Sequence, residues 1–261
     1  MKIAVCIKQV PDTNEVKLDP KTNTLIRDGV PSIINHDDKA GIEAALQLKE
    51  KHGGSVVAVC MGPPQADVAL REALAMGCDE AVLISAREFG GSDTCATAII
   101  IAAALRKIGY DMVITGRQAI DGDTAQVGPQ IAENLGIPQV SYAEDISVEA
   151  DTVTVKRQYE DRYHLIDVKM PCLLTALQEL AEPRYMHAGL IIESYEKEIP
   201  VLTFEDLKDD LNPEHIGLKG SPTNVVKSFT KQAKGAGTKI EASPDEAVAA
   251  IIAKMEEKHI I

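Results

Sequence analysis

Met112-Val113-Ile114-Thr115-Gly116-Arg117-Gln118-Ala119-Ile120-Asp121-Gly122-Asp123-Thr124-Ala125-Gln126-Val127-Gly128 decides how this chain is read. Residues 112–115 form a short apolar run of buried-strand type, and residues 129–135 have helical spacing, so residues 116–128 make a strand-to-helix loop. In an open α/β sheet such loops lie at the carboxyl ends of the strands, where ligands bind, and a helix start turns unpaired N–H groups toward the crevice. Glycines at 116, 122 and 128 let backbone approach a ligand closely. The spacing matches neither GxGxxG nor GxxxxGK[ST]. Asp121 and Asp123 would repel an adjacent phosphate, so they suit helix capping or ribose hydroxyls, with phosphate left to backbone N–H groups, Thr124 and Gln126. The same composition also suits an exposed turn. Pro129 leaves the helix start open between Thr124 and Gly128-Pro129.

Working outward, strand and helix patterns alternate. Residues 2–7 are a strand, and residues 14–34 alternate weakly, as in a hairpin outside the main sheet. Asn35 can cap a helix whose third position is Asp38 and which stops at His52-Gly53-Gly54. Strand 55–61, helix 66–76 and strand 81–84 follow. Ser92 or Asp93 then caps a long helix that ends near Gly109, and a fifth strand opens at 138–142. Short apolar runs separated by helices predict a doubly wound, mainly parallel, Rossmann-like sheet. Residues 145–149, 152–158 and 163–168 alternate with period two, as antiparallel strands with one wet face, and 170–176 returns to the buried type. Residues 196–242 are loosely patterned and end in Ser243-Pro244-Asp245-Glu246, a capping box before Val248, Ile251, Ile252 and Met255. The expected organisation is an α/β domain over 1–195 and an extended C-terminal arm over 196–261. The arm's helix needs a surface, either its own core or a partner.

The 261 residues carry 27 basic and 40 acidic side chains, a net charge of −13, which argues against nucleic acid and anionic membranes. Tryptophan is absent, so aromatic binding platforms are not expected. Cys6, Cys60, Cys78, Cys95 and Cys172 form no CxxC pair and read as small hydrophobes in a reducing compartment. A strand beginning at the second residue leaves no room for a signal peptide, and no apolar run approaches the length of a membrane span, so a cytoplasmic protein is expected. The histidines show no metal-ligand spacing and read as solvated. There is no GxSxG elbow. Gly90-Gly91-Ser92-Asp93-Thr94 loosely resembles the glycine-rich loop of ATP pyrophosphatases. It follows the third strand where that family's loop follows the first, and the leading serine is missing, so it reads as a helix cap. A nucleotide-type crevice without acid–base machinery fits a carrier whose cofactor supplies the chemistry.

Several stretches together resemble the β subunits of electron transfer flavoproteins. These are Val5-Cys6-Ile7-Lys8, Asn35-His36-Asp37-Asp38, Val59-Cys60-Met61-Gly62-Pro63, Ala73-Leu74-Ala75-Met76-Gly77, Glu182-Pro183-Arg184-Tyr185 and, above all, residues 116–127. The family's pattern over 155–175 is partial, because Arg162 stands where a glycine or acid is expected. The resemblance implies a heterodimer with an α subunit that carries FAD. It assigns an adenine nucleotide to Cys6, Asn35, His36, Asp37, Asp38, Met61 and residues 116–127. In respiratory members that nucleotide is a structural AMP. In electron-bifurcating members it is a second FAD, reduced by NADH. Gln9-Val10-Pro11-Asp12-Thr13 and Asp121-Gly122-Asp123-Thr124-Ala125-Gln126-Val127 look more like the bifurcating group, which favours FAD. The segment after Arg184-Tyr185 implies docking on an acyl-CoA dehydrogenase or similar flavoprotein, with Ala188 at the position of an exposed leucine and Leu190, two residues later, as its alternative. Two other classes remain: a stand-alone nucleotide-binding module related to universal stress proteins, and an ATP-cleaving enzyme using residues 90–94.

Overall fold

The computed structural model describes residues 1–12, 31–226, 235, 237 and 239–261. The chain divides into two compact units, Met1–Val226 and Lys227–Ile261. In the first unit the order is β1 (Lys2–Ile7), β2 (Gln9–Pro11), β3 (Ser32–Ile34), α1 (His36–His52), β4 (Ser55–Met61), α2 (Asp67–Met76), β5 (Glu80–Ile84), α3 (Thr94–Ile108), β6 (Met112–Gly116), α4 (Val127–Leu135) and β7 (Gln139–Glu149). Then come β8 (Thr152–Gln158), β9 (Tyr163–Lys169), β10 (Cys172–Ala176), α5 (Ala188–Glu196), β11 (Val201–Leu202), α6 (Phe204–Leu207) and α7 (Gly217–Gly220). The second unit holds α8 (Pro244–Glu257).

The sheet order is β11-β5-β4-β1-β6-β10-β7-β8-β9. Pairing is parallel from β11 to β7 and antiparallel from β7 to β9. From β1 the chain winds outward to β4 and β5, then crosses back to β6 on the other side of β1. The gap between the carboxyl ends of β1 and β6 is therefore the topological switch point, the place such sheets reserve for ligands.

Both faces of the parallel part are covered, which is why its strands carry apolar runs without alternation. Ile3, Val5 and Ile7 pack with Ile42, Leu46 and Leu70 of α1 and α2. Ala4 and Cys6 pack on the other face with Ile100, Leu105 and Ile131 of α3 and α4. Cys6, Cys60, Cys78 and Cys172 are buried and unpaired, as small core residues.

Some expected elements differ in detail. The runs at 138–142 and 145–149 are one strand, β7, bent by a bulge: Tyr142 sits at φ 60° and the register on both neighbours shifts beside it. Helix α4 starts at Val127, between the two starts left open, so that Pro129 falls in the first turn, where its missing N–H has no helical partner to lose. Asn35 stands at the N-cap of α1 but its side chain does not cap. Of the hairpin expected over 14–34, the described part is β3, which pairs antiparallel with β2, a strand N-terminal to that range; residues 13–30 lie outside the described residues. Asp93 caps α3 by accepting from Ala96 N–H at 3.0 Å, and Ser243 and Glu246 form the expected capping box of α8.

Candidate functional site

A cleft of about 370 Å³ opens at the switch point. Its floor is the carboxyl ends of β1 and β6. Its walls are residues 116–128 and the first turns of α3 and α4.

The loop is built around α1. Asp38, at the third position of that helix, accepts from Lys8 N–H at 2.7 Å and Gly116 N–H at 2.9 Å, tying together the ends of β1 and β6. Asn35 donates to Gln118 O at 2.8 Å and accepts from Ile120 N–H at 3.1 Å. Its side chain is drawn to the loop instead of its own helix, because the loop backbone presents one acceptor and one donor that an amide matches. Lys8 Nζ reaches Asp121 at 2.7 Å, and Gln118 Nε2 reaches Asp123 at 3.0 Å. Asp121 is thus held by a cation rather than capping a helix.

These ties hold a strained turn. Asp123 and Ala125 adopt φ 49° and 52°, left-handed values disfavoured for residues with a Cβ. A left-handed residue followed by right-handed Gln126 aligns successive N–H groups into an anion-binding concavity at the start of α4. Among the described residues, the N–H groups of 124–128 find no acceptor within the protein. Thr94 Oγ1 donates to Gln126 Oε1 at 3.0 Å and links the starts of α3 and α4. The cleft therefore offers a row of N–H donors, the cations of Lys8 and Arg117, the hydroxyls of Thr94 and Thr97, and an apolar side formed by Cys6, Met61 and Ile101. That donor set suits the diphosphate and apolar ring system of a nucleotide cofactor.

Electrostatics separate support from chemistry. Burial raises the Asp38 carboxyl to about 7 against the N–H groups of Lys8 and Gly116 that favour its charge. Burial likewise raises Asp37, whose Oδ2 lies 3.5 Å from Arg117 Nε; neither atom makes a hydrogen bond among the described residues. Burial pushes the Cys6 thiol far up, so it lines the cleft as an apolar atom.

Of the residues expected to bind the cofactor, Cys6, Asp38, Met61, Gly116, Arg117, Gln118, Ala119 and 122–127 line the cleft. Asn35, Asp37, Ile120 and Asp121 stand behind that wall as supports, and His36 is exposed at the start of α1. The sequence reading missed Lys8, Ser92, Asp93, Thr94 and Thr97. Of the two cap candidates Asp93 is the helix cap and Ser92 precedes it; their place in the wall depends on strand order. Arg184, Tyr185, Ala188 and Leu190 lie apart from the cleft, beside α1 and α2: Arg184 turns inward, Leu190 is half-buried, and Tyr185 and Ala188 are exposed. The exposed apolar side chains there include Met186, Ile192 and Tyr195.

Fold and cleft together define a doubly wound α/β protein with a nucleotide-type crevice at its switch point. The family model for the electron transfer flavoprotein domain matches residues 22–207. The chain is 54% identical to the "Electron transfer flavoprotein subunit beta" of Clostridium acetobutylicum over 100% of both chains. It is 53% identical to "Caffeyl-CoA reductase-Etf complex subunit CarD" of Acetobacterium woodii and 53% identical to "Acryloyl-CoA reductase electron transfer subunit gamma" of Anaerotignum propionicum, again over 100% of both chains in each case. The chain belongs to the electron transfer flavoprotein family, in its β-subunit branch, and its role is in electron transfer. Among the described residues no helix is long and apolar enough to cross a membrane.

Proposed function

We propose that this chain is the β subunit of a cytoplasmic heterodimeric electron transfer flavoprotein and binds FAD in the switch-point cleft. The observation that carries the reading is the row of unpaired N–H groups at the start of α4, set in a loop fixed in advance by Asn35, Asp38 and Lys8. Those N–H groups and Arg117 hold the diphosphate. Thr94, Thr97 and Gln126, at the meeting of the starts of α3 and α4, would hold polar groups of the cofactor, and Cys6, Met61 and Ile101 would exclude water beside it. A flavin held there supplies hydride acceptance from NADH and one-electron transfer, the chemistry of electron bifurcation. FAD is preferred over AMP because Gln9-Val10-Pro11-Asp12-Thr13 and residues 121–127 look more like the electron-bifurcating group. The relatives named for caffeyl-CoA and acryloyl-CoA reductase complexes support the same choice.

The chain works with an α subunit that carries its own FAD and delivers electrons to an acyl-CoA dehydrogenase or similar flavoprotein. The terminal unit that holds α8 is the arm toward the α subunit, and the segment from Arg184 through α5 docks the dehydrogenase. Acid release of ligands from the purified heterodimer tests the cofactor. Two FAD per heterodimer, both reduced by NADH, are expected. One FAD with one AMP would replace bifurcation by the respiratory role with a structural nucleotide.

A further inference from the structure

Helix α5 buries only Ser194 fully and leaves Leu190 half-buried, so apolar packing alone does not fix the segment that precedes and forms it. Two arginines do. At its start, Arg184 donates from its backbone N–H and Nε to Glu43 Oε2 at 3.2 and 2.7 Å, and from Nη2 to Glu43 Oε1 at 3.0 Å. Its Nη1 donates to Glu50 Oε1 at 2.6 Å. Glu43 is 4% exposed and also accepts from Gln47 Nε2 at 2.9 Å, so α1 offers Arg184 a dry, fully hydrogen-bonded carboxylate. At the far end, Arg71 of α2, paired with Asp67, donates to the carbonyls of Ser194 and Lys197 and lies 5.1 Å from the Tyr195 ring centre. Between them, His187 N–H donates to Ala75 O at 3.1 Å. The side chains left most fully outward include Tyr185, 98% exposed, Ile192, 67%, and Tyr195, 69%.

We propose that Glu43, Glu50 and Arg184 form a positioning clamp that presets the Tyr185-to-Tyr195 surface for its dehydrogenase partner, with Tyr185, Ile192 and Tyr195 making the contact. Arg184 is then a positioning residue rather than a contact residue. The inference rests on the docking reading given above and adds what holds the surface in shape. A bidentate arginine–carboxylate pair fixes angle as well as distance, so a surface otherwise free to move is presented in one orientation and loses less entropy on docking. Because the clamp sits on α1 beyond the residues that hold the cofactor loop, its loss should leave the cleft intact.

The test uses the purified heterodimer carrying Glu43→Gln, with Glu50→Gln as a milder second variant and Ile192→Ala as a contact control. Amide hydrogen exchange over residues 185–192, flavin content, dye reduction by NADH, and KM and kcat with an acyl-CoA dehydrogenase from the source organism are measured. Glu43→Gln is expected to speed exchange about tenfold and to raise KM about tenfold, with kcat, flavin content and dye reduction unchanged. Glu50→Gln is expected to act in the same direction, about threefold. Unchanged exchange in both variants overturns the clamp. Faster exchange with unchanged KM, while Ile192→Ala raises KM, also overturns it and keeps the docking surface. If Ile192→Ala leaves KM unchanged as well, the docking reading falls and the clamp's proposed role falls with it.

Discussion

At residue scale, the loop's glycines have different reasons. A Cβ on Gly116 would lie 2.1 Å from Asp38 Oδ1, and one on Gly128 would lie 2.6 Å from Thr115 Oγ1; one on Gly122 would meet nothing within 4 Å. The first two are required by the protein's own packing. Gly116→Ala is therefore expected to cost about 1–3 kcal/mol by displacing Asp38, read as a lower unfolding midpoint. Gly122→Ala should change stability by less than about 0.5 kcal/mol. Any loss of bound cofactor in that variant then reports close approach of ligand to backbone; full retention would show that Gly122 serves neither purpose. Asp38 adds a pH signature. Its folded carboxyl is raised to about 7 from 3.8, chiefly by burial, with Asp37 adding to the rise. Between those values the folded state binds more protons than the unfolded one, so this group's contribution to stability falls as pH rises through that window. Stability of Asp38→Asn relative to the parent should thus increase from pH 4 to 7 and level off above. A difference independent of pH would remove Asp38 as the titrating group.

At the scale of elements, the strand-to-helix loop is a strained piece held by its neighbours. Ala125 at φ 52° gains by replacement with a residue lacking a Cβ. Ala125→Gly is expected to be neutral or to stabilise by up to about 1 kcal/mol, the reverse of the usual sign. Asn35 is 1% exposed and makes two hydrogen bonds to the loop. Asn35→Ala should cost about 1–3 kcal/mol and speed hydrogen exchange in residues 116–123, since two backbone groups lose their partner. Strands β1, β4, β5 and β6 and helices α1 to α4 were legible because burial on both faces writes apolar runs and helical spacing directly into the sequence. The bulge at Tyr142 was not, since one left-handed residue leaves no period to read. Nor were β11, α6 and α7, which are too short to show one. The cleft loop itself was legible as a strand-to-helix turn. Its second wall at Ser92–Thr97 and the Lys8–Asp121 tie join residues far apart in sequence, so they follow from strand order, which periodicity does not give.

At the scale of the whole molecule, the terminal unit poses a burial problem that its own residues do not solve. Within it α8 buries none of its side chains, although Val248, Ile251 and Ile252 recur at helical spacing. The capping box, with Ser243 Oγ 2.7 Å from Glu246 Oε2, and proline at the first position make a well-started helix, so the stripe is a built face and not a fraying end. On the proposed function its cover is the α subunit. Placing a charge in the stripe should then act on assembly: Ile252→Asp is expected to weaken heterodimer formation by at least about 100-fold, in line with about 3 kcal/mol for a buried interface anchor. Analytical ultracentrifugation of the paired subunits measures this, with the unfolding midpoint of the isolated chain as control. If assembly is unchanged while that midpoint drops, the stripe serves the chain's own stability, and the partner-docking role of the arm is wrong.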